Sequence, residues 1–173
     1  MPSPMTKYYS PSTGTFYPTA HGAAHDSVPI SDELYASLMG KPCENDVNGM
    51  PQLKLSWRRE NMWTKIKDER DRRKDGGVKV GNSWFHSDAD SRIQQLALVM
   101  MGANVPPVQW KTLSGSYETM SPTLAMGIFT AMATLDMVLF ARAEQLRAQV
   151  YASSNPELIN IKTGWPQSYE DTL

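Results

Sequence analysis

Three adjacent side chains, His86, Ser87 and Asp88, are of the types that serve as base, nucleophile and orienting acid in hydrolytic enzymes. That chemistry requires the three groups to converge in space, which direct neighbours on one backbone rarely do. Ser87 and Asp88 also suit the capping position of a helix that follows them. The sequence therefore favours a turn and a helix cap at this point over a catalytic site.

Two histidines and one cysteine are the candidates for metal or thiol chemistry. His21 and His25 are four residues apart, but Gly22 and the lack of an apolar helical pattern argue against a helical metal site. Cys43 is the only cysteine, which excludes an internal disulfide and a multi-cysteine zinc site, and no basic cluster activates its thiol. We predict no catalytic residue, no metal and no cofactor.

A charged run from Trp57 to Lys74, followed by Gly76 and Gly77, could bind phosphate or nucleic acid. It holds eight basic and four acidic residues, and opposite charges recur at four-residue spacing, as in Glu69 and Arg73. Such pairs support an exposed helix. Neither the phosphate-loop nor the dinucleotide-binding glycine pattern is present. The formal net charge of -1 gives no field that would attract nucleic acid, so no nucleic-acid partner is expected.

Periodic apolar residues organise residues 56–173 into a helical domain with two hairpins and an irregular tail. The charged run predicts one helix, Ser87 or Asp88 begins a second that ends at Gly102, and Ser121 caps the longest. Hairpins are expected around Gly81-Asn82 and Ser114-Gly115. The predicted core includes Trp63, Ile93, Leu96, Trp110, Leu124, Ile128, Leu135 and Leu139. We also expect a positive φ at Gly76, Gly77 or both.

Residues 1–55 contain seven of the twelve prolines and short aromatic pieces, so they predict only short strands and turns. A hairpin and a short helix starting at Ser31 are expected, with a turn at Asn48-Gly49. The overall fold class is therefore α+β. The aromatic residues flanking the hairpin turn are the predicted partner-binding residues: Tyr8, Tyr9, Phe16 and Tyr17.

No membrane segment is predicted. The N-terminal stretch carries two prolines and lacks the apolar core of a secretory signal. The most apolar region, residues 124–140, is interrupted by Thr130, Thr134 and Asp136, which favours a buried helix over a span. A soluble, cytoplasmic protein is expected.

Several of these segments carry a family resemblance. "YYSPSTGTFYP", "VPISDELYASLMGK" and "NDVNGMPQL" resemble the N-terminal segment of tailed-phage tail-fibre assembly proteins. "IKDERDRRKDGGVKVGNSWFHSDADSRIQQ" and "WKTLSGSYETMSPTLAMGIFTAM" resemble a domain of unassigned biochemistry at the C-terminal end of phage tail proteins. The positions that match its pattern are Arg73, Gly76, Gly77, Phe85, Asp88, Ser91, Trp110, Lys111, Thr112 and Gly115.

The resemblance implies a chaperone that binds the tip of a trimeric phage tail fibre or receptor-binding protein and assists its folding and trimerisation. It would act in the host cytoplasm during phage assembly, as a homo-oligomer or in complex with the fibre trimer. The alternative is a structural fibre-tip or baseplate subunit that the virion retains. The family defines no catalytic residue, and a glycan-cleaving enzyme would need paired carboxylates that the sequence does not offer.

Overall fold

The computed structural model describes residues 6–173 and divides the chain into two compact units, Met1–Asn61 and Met62–Leu173. Residues 1–5, which include Pro2 and Pro4 of the proline-rich N-terminal stretch, lie outside the described residues. The fold is α+β, as predicted: a strand-rich first part precedes a mainly helical part with a long C-terminal helix.

The regular elements of the described residues alternate between short strands and longer helices. The strands are Lys7–Ser10 (β1), Thr15–Tyr17 (β2), Val28–Ile30 (β3), Cys43–Asn45 (β4), Pro51–Leu53 (β5), Val78–Val80 (β6), Ser83–Phe85 (β7), Gln109–Lys111 (β8) and Tyr117–Thr119 (β9). The α-helices are Asp32–Leu38 (α1), Leu55–Asp75 (α2), Ala89–Met101 (α3) and Pro122–Ala152 (α4). Short 3₁₀ turns lie at Gly102–Asn104, Pro156–Leu158 and Tyr169–Thr172.

The first unit is built on a three-stranded antiparallel sheet in the order β2-β1-β3. Its hairpin pairs Tyr9 with Phe16, which confirms the predicted layout. Ser31 caps α1 by accepting a hydrogen bond from the Leu34 N–H at 3.1 Å. The β4-β5 hairpin turns through Gly49, whose φ of 77° only glycine adopts without strain.

The second unit has two apolar clusters, and α4 contributes to both. Near the start of α4, Ile128 and Met132 pack with Val78 and Phe85 of the β6-β7 hairpin. Near its end, Leu146 packs with other buried residues, among them Ile66 of α2. A long helix with buried residues along most of its length therefore connects the two cores.

The predicted helix starts of α3 and α4 are confirmed. The Asp88 carboxylate accepts from the Ser91 N–H at 3.0 Å, and the Ser121 hydroxyl accepts from the Leu124 N–H at 3.1 Å. Pro122 occupies the first turn of α4, where its missing N–H costs nothing.

The predicted core is partly wrong. Ile128 and Leu139 are fully buried, and Trp63, Trp110, Leu124 and Leu135 are half-buried beside the two clusters. Ile93 and Leu96, by contrast, are exposed, because α3 directs its opposite face toward the rest of the unit.

The apolar character of α4 is stronger than the sequence interpretation allowed. By length and composition, α4 is the one helix of the described residues that could cross a membrane, and 22% of its most apolar window is buried. Core helices of soluble proteins meet the same criteria, so this does not assign a membrane. It does show that the expectation of a buried helix is incomplete, since much of α4 is uncovered in the chain.

Candidate protein-binding surface

An apolar stripe faces outward on α3. Ile93, Leu96 and Met100 recur at three- and four-residue spacing and Met101 follows directly, and this set of four is named here the outer face of α3. Ile93 is 67% exposed and Met100 is 80% exposed. These residues supply the helical period recognised in the sequence, yet the face they form lies on the protein surface.

The buried side of α3 explains this orientation. Leu98 joins the first apolar cluster, and Gln95 is buried next to it on the same side of the helix. The Gln95 side-chain carbonyl oxygen has no hydrogen-bond partner within the described residues. The sequence does not reveal which face of α3 is buried, because that face contains a glutamine, and glutamine is ordinarily found at the surface.

A second outward apolar face lies on α4. Met126, Met137 and Phe140 are eleven and three residues apart, about three turns and one turn of helix, and form the outer face of α4. Met137 is 75% exposed, and about half of the Met126 and Phe140 surfaces is accessible. The Arg70 guanidinium lies over the Phe140 ring, 4.5 Å from its centroid.

An ion pair joins α3 to α4 next to both outer faces. The Arg92 guanidinium donates to both Asp136 carboxylate oxygens, at 2.8 and 2.9 Å, and its Nε donates to the Ser87 carbonyl at 2.6 Å. Each partner directly precedes an outer-face residue, Ile93 or Met137. A small cavity of about 200 Å³ opens beside the pair, lined in part by Phe129 and Ala133.

Together the two outer faces have the chemistry of a protein-binding surface. They hold three methionines that are at least half exposed, whose flexible, polarisable side chains adapt to differently shaped partners. Large apolar residues that recur exposed along one face of a helix commonly mark an interaction site.

The two glycines of the recognised motif hold the α2–β6 junction. Gly77 has a φ of 99°, which confirms the expectation for this pair, while Gly76 does not adopt a positive φ. A Cβ atom at Gly77 would clash with Leu113 Cδ1 and lie 3.2 Å from the Phe85 carbonyl oxygen. The Gly77 N–H donates to Ser87 Oγ at 2.9 Å, so Ser87 holds the backbone and is not poised as a nucleophile.

The other motif residues also lie at structural positions. Phe85 is fully buried in the first cluster, Asp88 caps α3, and Trp110 packs against that cluster. Hydrogen bonding lowers the pKa of the Asp88 carboxyl, the Ser91 N–H being the main donor. Gly115 takes a φ of 85° in the β8-β9 turn. These residues build the hairpins and helix ends that position α3 and α4.

A buried charge network, absent from the sequence interpretation, ties the C-terminal tail to α2. The Glu69 carboxylate accepts from Arg73 at 2.8 Å, Arg72 at 2.9 Å and Lys162 at 2.9 Å. The Arg72 hydrogen bond, above all, lowers the pKa of Glu69 to about 2. Arg73 also donates to the Asp171 carboxylate at 3.0 Å, and Arg72 pairs with Glu170.

This network corrects the prediction that the charged residues of α2, outside its narrow apolar stripe, are exposed. The Glu69–Arg73 pair exists as predicted, but Glu69 is 3% exposed and Arg73 is 8% exposed. Arg73 additionally donates to the Pro166 carbonyl at 2.8 Å. Pro166 and Asp171, which accept hydrogen bonds from Arg73, are 93 and 98 residues away in the sequence. Local residue spacing cannot predict such distant contacts.

The four aromatic residues of the N-terminal hairpin are not equivalent. Tyr9 is 2% exposed, packs on Phe16 with 4.9 Å between ring centroids, and donates its hydroxyl to Asn45. The expectation that Tyr9 is exposed for a partner is therefore wrong, because the small first unit uses it as core. Tyr8, Phe16 and Tyr17 are half-buried, and their role in partner binding stays a prediction.

The histidines and the cysteine do not come together. His21 and His25 are exposed on the 20–27 connection, while His86 belongs to the second unit. Cys43 is half-buried, and its burial raises the pKa of the thiol. Within residues 6–173 no group of three or more histidine, cysteine, aspartate or glutamate side chains could hold a metal ion.

Comparison with known proteins gives one family. Residues 58–163 match the model described as "Domain of unknown function (DUF4376)", which spans more than half of the chain and covers α3, α4 and both hairpins of the second unit. Neither the search of curated proteins nor the search of solved structures returns a match.

Proposed function

We propose that this chain, which belongs to the DUF4376 family, is a phage tail-fibre assembly chaperone. It would bind the tip of a trimeric fibre or receptor-binding protein in the host cytoplasm and assist its folding and trimerisation. Protein binding, not catalysis or nucleic-acid binding, would be its activity.

The observation that carries the proposal is the exposed apolar surface on α3 and α4. A chaperone needs apolar area to cover the apolar surface that an assembling partner exposes, and Ile93, Met100 and Met137 provide such area.

The physics of the partner supports the same function. Trimeric β-rich fibres form non-local strand pairings, so they fold slowly and expose apolar surface and strand edges while three chains find their register. A protein that binds the assembling or finished tip better than the aggregate shifts the equilibrium toward the trimer. The resemblance of both parts of the sequence to phage tail proteins supports the fibre as the partner class.

Co-expression with the neighbouring fibre gene tests the proposal. We expect the wild-type chain to raise the yield of soluble fibre trimer and to elute with it in size exclusion. The double variant Ile93→Ser, Met100→Ser should lower that yield at least fivefold, because it makes the outer face of α3 polar.

Val47→Ser and Leu158→Ser are matched controls, since both residues are exposed and apolar but belong to neither outer face. They should leave the yield unchanged. An unchanged yield with the double variant, in a chain that keeps its wild-type circular dichroism, would contradict the assignment of the surface. A fibre that is equally soluble without the chain would contradict the function.

The fate of the chain after assembly separates a chaperone from a retained subunit. A chaperone that leaves should be absent from purified phage particles, whereas a fibre-tip or baseplate subunit should be present in fixed stoichiometry. Quantitative mass spectrometry of particles measures this directly.

A further inference from the structure

A groove of about 680 Å³ runs along β6 in the second unit. Strand β6 forms one wall, α4 contributes Gly127, Ala131 and Thr134, and the tail closes one end at Pro166. The groove is separate from the outer faces of α3 and α4, whose residues do not line it.

The wall formed by β6 is an open strand edge. In the β6-β7 hairpin, Val80 and Ser83 flank the two-residue turn and form a hydrogen-bonded pair. Pair types alternate along an antiparallel ladder, so the next pair, Lys79 and Trp84, is not hydrogen-bonded across the hairpin. The main-chain N–H and C=O groups of both residues therefore point outward, each away from the other strand. The Trp84 carbonyl confirms this direction, because it accepts from the Leu113 N–H at 2.8 Å on the outside of β7.

The Lys79 N–H and C=O consequently point away from β7, on the free edge of β6. Within residues 6–173 no hydrogen bond reaches either group. A strand edge with unpaired main-chain groups is a template for an added strand, since an extended peptide satisfies donor and acceptor together.

The α4 wall leaves room for a main chain. Ala131 and Thr134 have small side chains, whereas Gly127 lets α4 pack closely on β6, since a Cβ atom there would lie 3.4 Å from Val80 Cγ1. Small side chains on one wall allow a peptide backbone to approach the strand on the other.

The charge of the groove specifies the occupant further. Lys79 is the one charged residue among the described residues that line it. An acidic side chain opposite Lys79 would form a cross-strand pair of opposite charge, whereas a basic one would be repelled.

From these features we infer that the groove binds an extended segment of a partner protein, which adds as a strand to β6 and places a carboxylate next to Lys79. Its neighbouring side chains are small or apolar, to fit against Ala131 and Thr134. The identification of the donor as a strand of the fibre tip rests on the proposed function, but the strand-binding groove rests on the geometry alone.

A synthetic probe tests the groove in the full chain. The probe is a capped eight-residue peptide of alternating threonine and valine with one central glutamate, followed by NMR of the ¹⁵N-labelled protein. We expect binding to slow hydrogen exchange of the Lys79 amide at least tenfold. A central lysine in place of the glutamate should weaken binding about threefold, the size of a cross-strand charge effect.

Two changes separate main-chain pairing from charge. Lys79→Thr keeps the N–H and should bind the glutamate and lysine peptides equally, whereas Lys79→Pro removes the N–H and should abolish binding. A peptide N-methylated at alternate residues should also fail to bind wild type, which keeps the test valid if the proline variant does not fold.

The inference is overturned if none of the peptides binds, if the Lys79 amide exchanges at its free rate in the complex, or if the N-methylated peptide binds as tightly as the parent. The fibre co-expression experiment reports separately on the proposed function. Peptide binding without any effect of the chain on fibre solubility would support the groove and contradict the chaperone function. An effect on fibre solubility without peptide binding would support the chaperone function and contradict the groove.

Discussion

At the scale of single residues, Glu69 is the buried carboxylate that ties the C-terminal tail to α2. Three cations donate to its carboxylate, and its folded-state pKa of about 2 lies below the ordinary value of 4.5. A depressed pKa means that the ionised form stabilises the fold. The contribution is complete above about pH 4.5 and is lost as the pH falls toward 2.

Glu69→Gln should therefore lower the free energy of unfolding by about 1.5–3 kcal/mol at pH 7, the range for hydrogen bonds to charged groups. Urea denaturation at several pH values measures the difference, which should shrink below about pH 4.5 as the wild-type carboxyl becomes protonated. Glu144→Gln is the control, because Glu144 is exposed and forms a surface ion pair with Arg147 at 3.3 Å. It should change stability by less than about 0.5 kcal/mol. A pH-independent Glu69→Gln effect would contradict the assignment.

Gly77 provides a second prediction at this scale. Gly77→Ala should destabilise the protein by more than about 1 kcal/mol, because it combines an unfavourable φ of 99° with a clash at Leu113. Gly115→Ala has a similar φ but open space around the added methyl, so it isolates the backbone cost. Thermal or urea unfolding compares the two. Equal losses would mean that Leu113 moves aside freely.

These two residues also show what the sequence could and could not predict. A glycine pair at the end of a charged helix signals a positive φ through local chemistry alone, and Gly77 confirms it. The four-residue spacing of Glu69 and Arg73 predicts an exposed face, and it carries no information about Lys162, which lies 93 residues away. Local spacing describes a helix surface, whereas burial by a distant tail requires the tertiary fold.

At the scale of elements, the existence and ends of α3 and α4 were predictable, since capping residues and glycines act locally. The direction in which α3 faces was not. Its most regular apolar stripe, which includes Ile93 and Met100, is exposed, and the inward face carries Gln95. Hydrophobic period identifies a helix, but which face is covered depends on what the rest of the chain, or a partner, supplies.

The two sides of α4 give the prediction for this scale. Leu139→Ala should cost about 2–5 kcal/mol, because Leu139 is fully buried and its loss leaves a cavity. Met137→Ala, two residues earlier on the outer face, should change stability by less than about 0.5 kcal/mol. Urea unfolding monitored by circular dichroism measures both. A large loss at Met137 would show that its side chain is covered in the isolated protein.

At the scale of the whole molecule, each of the two units offers a candidate partner-binding site. The hairpin aromatics of the first unit were the predicted partner contacts, but Tyr9 is core, and the larger apolar surface lies on the helices. A fragment of residues 54–173, which begins just before α2, should therefore stay helical and retain fibre binding. Circular dichroism and pull-down with the fibre tip measure this. Loss of binding by a folded fragment would return the site to the first unit, at Tyr8, Phe16 or Tyr17.

Helix α4 determines how cooperatively the second unit unfolds. Its 31 residues are about 46 Å long, and it carries Ile128 in one apolar cluster and Leu146 in the other. If α4 detaches from either cluster, the buried side chains of that cluster become exposed. The unfolding of one cluster is therefore coupled to the unfolding of the other through α4. Residues 62–173 should consequently melt in a single cooperative step, with a calorimetric enthalpy equal to the van't Hoff value. The slowest-exchanging amides should then appear at both ends of the helix and share one opening free energy.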